Sequence, residues 1–225
     1  MRTRFATALV LAAMPLAAAP ARAQESGSGG TAYTPPPVAP LVAGGLLGTQ
    51  ARWNGRVAGP GAVRIDRFDP ASSTWTAVAN TTAGDDGAFT AAWRTDALGS
   101  STVRAVLDGS DEATAPTTRA TVYRPARATW YGPGFFGKRT ACGTRLTRAT
   151  LGVAHKRLPC GSQVDVFYNG RAITVPVIDR GPFANGASYD LTQATANALG
   201  VRETVRVGVL PRPTAATAGK RKRRS

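Results

Sequence analysis

The chain has 225 residues, a formal net charge of +15, two cysteines and a single histidine, a length that admits one or two domains. Two thiols and one imidazole do not complete a structural zinc site, and beyond the N-terminal 23 residues no stretch could span a bilayer. The charge is uneven: residues 45–125 balance 8 cations against 8 acids, whereas residues 126–213 carry 12 against 4, which points to an anionic surface or polymer around the C-terminal half.

Residues 1–23 read as a secretion signal. Arg2 and Arg4 form a charged start, Phe5 to Ala19 an apolar run, and Ala21-Arg22-Ala23 a cleavage site ahead of Gln24. The expected mature protein is exported, to the periplasm or the cell exterior, with no membrane span. Residues 24–44, rich in Gly, Ser and Pro, are expected to form a flexible linker.

From residue 45 to 125 short β-rich runs recur between turn signals: Ala51-Arg52-Trp53, Ala62 to Phe68, Thr74 to Val78, Ala88 to Trp93, Thr102 to Leu107 and Arg119 to Tyr123. About six strands spaced this way predict a small antiparallel sandwich. Trp53, Trp75 and Trp93 are assigned to its core, and no acid, base or nucleophile cluster stands out. The order of runs, closing on Val122-Tyr123-Arg124-Pro125, resembles bacterial immunoglobulin-like modules that precede cell-wall enzymes.

A second piece is expected over residues 126–212. Val164 to Tyr168 and Arg171 to Val175 flank Asn169-Gly170, a strong hairpin signal. The β-branched run Val175 to Ile178 stops at Asp179-Arg180-Gly181-Pro182, so a carboxylate falls where a buried strand gives way to a loop. Asp190-Leu191-Thr192-Gln193 is read as a helix start with Asp190 at the N-cap, and Gly200 as its stop. In an oxidising compartment Cys142 and Cys160 read as one disulfide. Short strands, bridged loops and one brief helix predict a small closed β-barrel. Residues 213–225 form a basic tail, with Lys220 to Arg224 as a run of five cations. Behind a secretion signal this run suits wall phosphates or carboxylates, or is merely solvated; no helix-turn-helix, ribonucleoprotein or zinc-finger pattern supports nucleic acid.

Five motifs in this piece carry a resemblance. Thr129-Trp130-Tyr131-Gly132, Thr140-Ala141-x-Gly143, Ala154-His155-x-x-Leu158-Pro159-x-Gly161, Val177 to Phe183 and Asp190-Leu191-Thr192 resemble the six-stranded double-psi β-barrel of the rare lipoprotein A (RlpA) family. The resemblance implies a wall protein acting on peptidoglycan glycan strands, in some members as a lytic transglycosylase, with no cofactor. Such an enzyme works with one carboxyl group, because the sugar's own primary hydroxyl closes an anhydro ring after the leaving oxygen is protonated. Asp179 is the candidate acid/base, which calls for a raised pKa, so the direction taken by the Arg180 guanidinium matters. His155 matches the family's Ala-His position and is the candidate partner of Asp179. Tyr131, Phe135, Arg180 and Asp190 are candidate glycan-binding residues, with Trp130 assigned to the core more readily than Tyr131. An N-cap role would lower the Asp190 pKa and make it a poor acid.

One departure is evident. Catalytic members of the resembled family commonly carry an acid just after Thr-Ala-Asn-Gly, whereas this chain has Cys142-Gly143-Thr144. The alternatives are therefore a cutting enzyme, a non-catalytic or expansin-like wall-loosening module, and an interaction protein that works through its sandwich.

Overall fold

Alternation of large apolar with small or polar residues builds the first half. The computed structural model describes residues 39–40 and 43–212, except residue 185, so the expected secretion signal, most of the linker and the basic tail lie outside the described residues. The linker expectation runs too far, because Ala39–Pro40 (β1) and Ala43–Leu46 (β2) are strands. Then follow Gln50–Arg56 (β3), Gly61–Asp69 (β4), Thr74–Ala83 (β5), Ala88–Arg94 (β6) and Gly99–Leu107 (β7), a 3-10 turn at Glu112–Thr114, and Thr117–Tyr131 (β8). Their order is β6-β3-β2-β8-β7-β4-β5, with β2 and β8 parallel and the other pairs antiparallel. Trp53, Phe89 and Trp93 from one end of this order meet Val63, Ile65, Val103 and Ala105 from the other in one core, and the Trp53 and Phe89 rings meet edge to face at 5.2 Å.

Two features of this half do not follow from alternation alone. Ile65 and Asp66 are buried consecutively although β4 keeps unbroken register with β7 and the bulge beside them adds Val78 on β5. Ile65 points into the core, whereas Asp66 lies on the opposite face beneath Arg64 and Arg104 and is satisfied by Arg64 Nε at 2.8 Å and Arg104 Nε at 2.9 Å, both of which also reach Glu112. Trp75, expected in the core, is half-buried instead and lies beneath the Arg104 guanidinium at 4.5 Å.

The second half is a closed ring. Its strands are the C-terminal part of β8, Val153–His155 (β9), Gln163–Tyr168 (β10), Arg171–Asp179 (β11), Tyr189–Thr192 (β12) and Val205–Pro211 (β13). They pair in the order β12-β9-β11-β10-β13-β8, and β12 closes onto β8. This six-stranded closed barrel matches the expected double-psi architecture. Valines from β9, β10, β11 and β13 fill it, and Ala196 and Leu199 of the helix Gln193–Leu199 (α1) pack against them. Asn169 and Gly170 turn the β10–β11 hairpin with φ of 46° and 75°, as a two-residue primed turn requires. The helix start differs from expectation. Thr192 is the N-cap, its hydroxyl accepting from Thr195 N, and Gly200 ends the helix at φ 79°. Asp190 stays on β12 and caps nothing.

No linker separates the halves. β8 pairs with β7 and β2 over Thr117 to Tyr123, then with β13 and β12 from Arg124 to Tyr131, so the expected boundary at Pro125 falls inside one continuous strand. Across it Tyr123 stacks on Phe167 at 5.1 Å, with 10° between the rings. Gly208 lies so close beneath them that a Cβ there would sit 2.6 Å from Tyr123 Cβ and 2.7 Å from Leu46 Cδ2.

Candidate functional site

Strand register aligns the polar groups of the site in one row. Thr129 on β8 pairs with Asp190 on β12, Asp190 with Ala154 on β9, and Ala154 with Asp179 on β11. Paired neighbours point to the same face. Two strand spacings thus separate the aspartates, roughly 10 Å between Cα atoms, with only a methyl group between them. Strict alternation would send Asp179 to the core side with Val175 and Val177. A bulge between Val177 and Asp179 re-aims it to the face of Asp190.

The row forms part of the wall of a cleft of about 550 Å³. Its rim is aromatic. Phe183 is 81% exposed and Phe135 53%, and Trp130 is exposed at 36%, its Nε1 donating to Arg202 O at 3.2 Å. Trp130, assigned to the core by sequence, thus faces the cleft; Tyr131 lines the cleft as well, half-buried, with a hydroxyl that has no hydrogen-bond partner among the described residues. Glu203 and Phe183 also line the cleft. Glu203 sits in the loop before β13 with no motif to flag it, and Phe183 stands inside the Asp-Arg-Gly-Pro-Phe stretch without having been singled out.

Asp179 Oδ1 accepts two backbone N–H bonds, from Arg180 at 2.8 Å and from Ala141 at 2.9 Å. The Arg180 guanidinium turns away from that carboxylate. It donates to the carbonyl oxygens of His155 and Asp179 at 3.4 and 3.3 Å and to Cys160 Sγ at 3.1 Å. Cys142 and Cys160 form the expected disulfide. His155 is not brought to Asp179. Its Nδ1 accepts from the backbone N–H of Arg157 at 3.1 Å and Leu158 at 2.9 Å, its ring lies 4.7 Å from Tyr189, and it is absent from the cleft wall. Thr144 is absent from that wall too.

Comparison with known proteins places this geometry. The family model described as "Lytic transglycolase" matches residues 124–211. Residues 124–211 are thus similar to the RlpA-like double-psi β-barrel family. A probable endolytic peptidoglycan transglycosylase RlpA of Synechocystis is 44% identical over 79 residues, covering 34% of this chain and 25% of that protein. Its counterpart in Aquifex aeolicus is 42% identical over 86 residues, covering 37% of each. The chain thus spans between a quarter and somewhat over a third of these RlpA proteins. Among solved structures, Streptomyces papain inhibitor matches 38% of this chain and 91% of its own at 27% identity, with a TM-score of 0.30.

Within this RlpA-like barrel the two carboxyls are electrostatically unequal. Burial raises the Asp190 pKa above its ordinary value, the negative charge of Asp179 adds to the rise, and the Thr129 hydroxyl, donating at 2.7 Å, opposes it. Burial and then the charges of Asp179 and Asp190 push the Tyr131 phenol up as well, so it stays protonated as a donor. Burial, together with Arg180, Arg157 and Lys156, holds His155 below its usual value and therefore neutral. The RlpA-like cleft thus presents a carboxyl biased toward its acid form beside one fixed by backbone N–H groups, under aromatic rings able to stack on sugars.

Proposed function

We propose that the protein is a secreted lytic transglycosylase that cuts the β-1,4 bond between MurNAc and GlcNAc in peptidoglycan glycan strands. The names of the RlpA relatives support the substrate class. The observation that carries the reaction is the row Asp190–Ala154–Asp179 in an open, aromatic-rimmed cleft. Asp190, whose pKa is raised, donates the proton to the leaving oxygen. Asp179 stabilises the positive charge that develops on the sugar and accepts the proton of the primary hydroxyl as the anhydro ring closes. The acid role thus moves from Asp179 to its neighbour. His155, engaged with its own loop, is structural. Trp130, Phe135 and Phe183 hold sugar rings, and Arg180, which lines the cleft, meets the substrate's polar groups. The first half, with strands ordered β6-β3-β2 and β5-β4-β7-β8, is an immunoglobulin-like module.

Purified sacculi incubated with the protein should release anhydro-muropeptides detectable by mass spectrometry. Asp190→Asn and Asp179→Asn should each reduce release at least 100-fold. Hydrolytic products without anhydro ends would refute the transglycosylase assignment. The threonine at 144, where catalytic relatives carry an acid, favours a second reading of wall binding without cleavage. Retention on sacculi at physiological salt with no new product would support it.

A further inference from the structure

The disulfide lies across the end of β11, and its two ends contact residues on either side of Asp179. At one end, Ala141 N–H donates to Asp179 Oδ1 at 2.9 Å and the next residue, Cys142, donates through its backbone N to Ile178 O at 3.2 Å. At the other, Cys160 Sγ accepts from Arg180 Nη2 at 3.1 Å, and Gly161 N donates to Val177 O at 2.8 Å. Four consecutive residues, Val177 to Arg180, are therefore gripped by two turns that the Cys142–Cys160 bond ties together. The turn from Thr140 to Gly143 is otherwise closed mainly on itself, by Thr140 N to Thr144 O and Gly143 N to Thr140 O. Ala141 and Gly143 are exposed in it, and so is Cys160, so a soluble reductant can reach the bond.

We infer that the Cys142–Cys160 disulfide is a redox-sensitive clasp that positions Asp179, so that the cleft is competent only in its oxidised form. The inference rests on the proposed role of Asp179 in catalysis; the cysteines touch no substrate and act as positioning residues. A dithiol reductant delivers two electrons and two protons. The Sγ–Sγ bond breaks, each cysteine gains an Sγ–H, and the reductant closes its own disulfide. Two consequences follow in the protein. The Thr140–Gly143 turn loses its covalent tie and keeps few hydrogen bonds to β11, so the Ala141 donor leaves Asp179 for part of the time. The Arg180 guanidinium loses its anchored sulfur partner and is held only by its bonds to the His155 and Asp179 carbonyls, at 3.4 and 3.3 Å. The barrel's core valines lie on other strands and on the core side of β11, which leaves the ring of strands itself intact.

Amide hydrogen exchange on the full chain tests the clasp directly. Treatment with dithiothreitol, with two free thiols verified by mass, should speed exchange at Ala141 at least tenfold while Val164 and Val175 keep their protection. Anhydro-muropeptide release should fall at least tenfold and return on reoxidation with oxidised glutathione. Cys142→Ser paired with Cys160→Ser should copy the reduced state. Ala141→Pro, which removes the donor and leaves the bond, should lower release in the oxidised protein. Unchanged exchange at Ala141 in the reduced chain would overturn the inference. So would equal acceleration at Val164 and Val175, which would make the bond a general stabiliser. Were the oxidised protein to release no product at all, the proposed reaction would fall, and exchange at Ala141 would still decide the clasp.

Discussion

Ala154 is the smallest side chain that still keeps strand β9 regular, and it leaves Asp179 and Asp190 facing each other with space between them. What that space does depends on protonation. The Thr129 hydroxyl stabilises the charged form of Asp190 and so lowers a pKa that burial raises. Thr129→Val should therefore raise it further, and the alkaline limb of the pH–rate profile should move to higher pH while the acid limb stays; initial rates of glycan cleavage across pH check this. Stability carries the same sign. A carboxyl whose folded pKa is raised favours the fold below its unfolded value of 3.8 and loses that advantage as pH rises through the folded value. Asp190→Asn should thus melt higher than the parent near pH 7 and show a smaller gap near pH 3 in thermal scans. His155 runs the other way. Its folded pKa is lowered by burial first, so its contribution is complete above 6.5 and is lost as pH falls from there through the folded value. His155→Ala leaves the Arg157 and Leu158 N–H groups without their acceptor and should cost about 1–3 kcal/mol. Cleavage by the folded fraction should stay within a few-fold of the parent, and denaturant titration beside single-turnover rates separates the two effects.

At the scale of elements, bulges decide what a period of two cannot. The one in β11 turns Asp179 outward, and no Gly or Pro marks Ile178, the extra residue. Sequence pattern could therefore find the strand and misplace the neighbourhood of its aspartate. Asp66 keeps the face that alternation gives it and is buried by the Arg64 and Arg104 side chains laid over it. The hairpin at Asn169-Gly170 with its two strands, the last strand before Pro211 and the helix stop at Gly200 were legible because each has a local chemical cause. The helix start was not: Asp190 and Thr192 are both good caps, and only the pairing of Asp190 with Thr129 and Ala154 settles which one the strand retains. Trp130 was misassigned to the core for a related reason: composition does not say whether an aromatic at a strand's end packs inward or lines a cleft, and here both Trp130 and Tyr131 line it. Burial has an energetic consequence for Asp66. Although burial alone would raise its pKa, Arg64 and Arg104 together hold it below the usual range, so its contribution is present above 3.8 and fades as pH falls through the folded value. Asp66→Asn leaves the two guanidiniums underpaired and should destabilise by about 3 kcal/mol, measured as a shift in denaturation midpoint with the slope unchanged.

Across the whole molecule the main consequence is the sharing of β8. The first half and the barrel each have their own core, yet both cores are hung on one strand with Tyr123, Phe167, Leu46 and Gly208 packed at the crossing. Calorimetry should accordingly record a single cooperative transition. Gly208→Ala, which would force a methyl group into that crossing, should cost about 1–3 kcal/mol and split the transition into two. Two bodies on a loose tether reorient independently; here one unbroken strand passes through both. Whatever the first half grips would thereby dictate the angle at which a ligand can enter the cleft, and selectivity for its direction would come from mechanics as much as from contact chemistry.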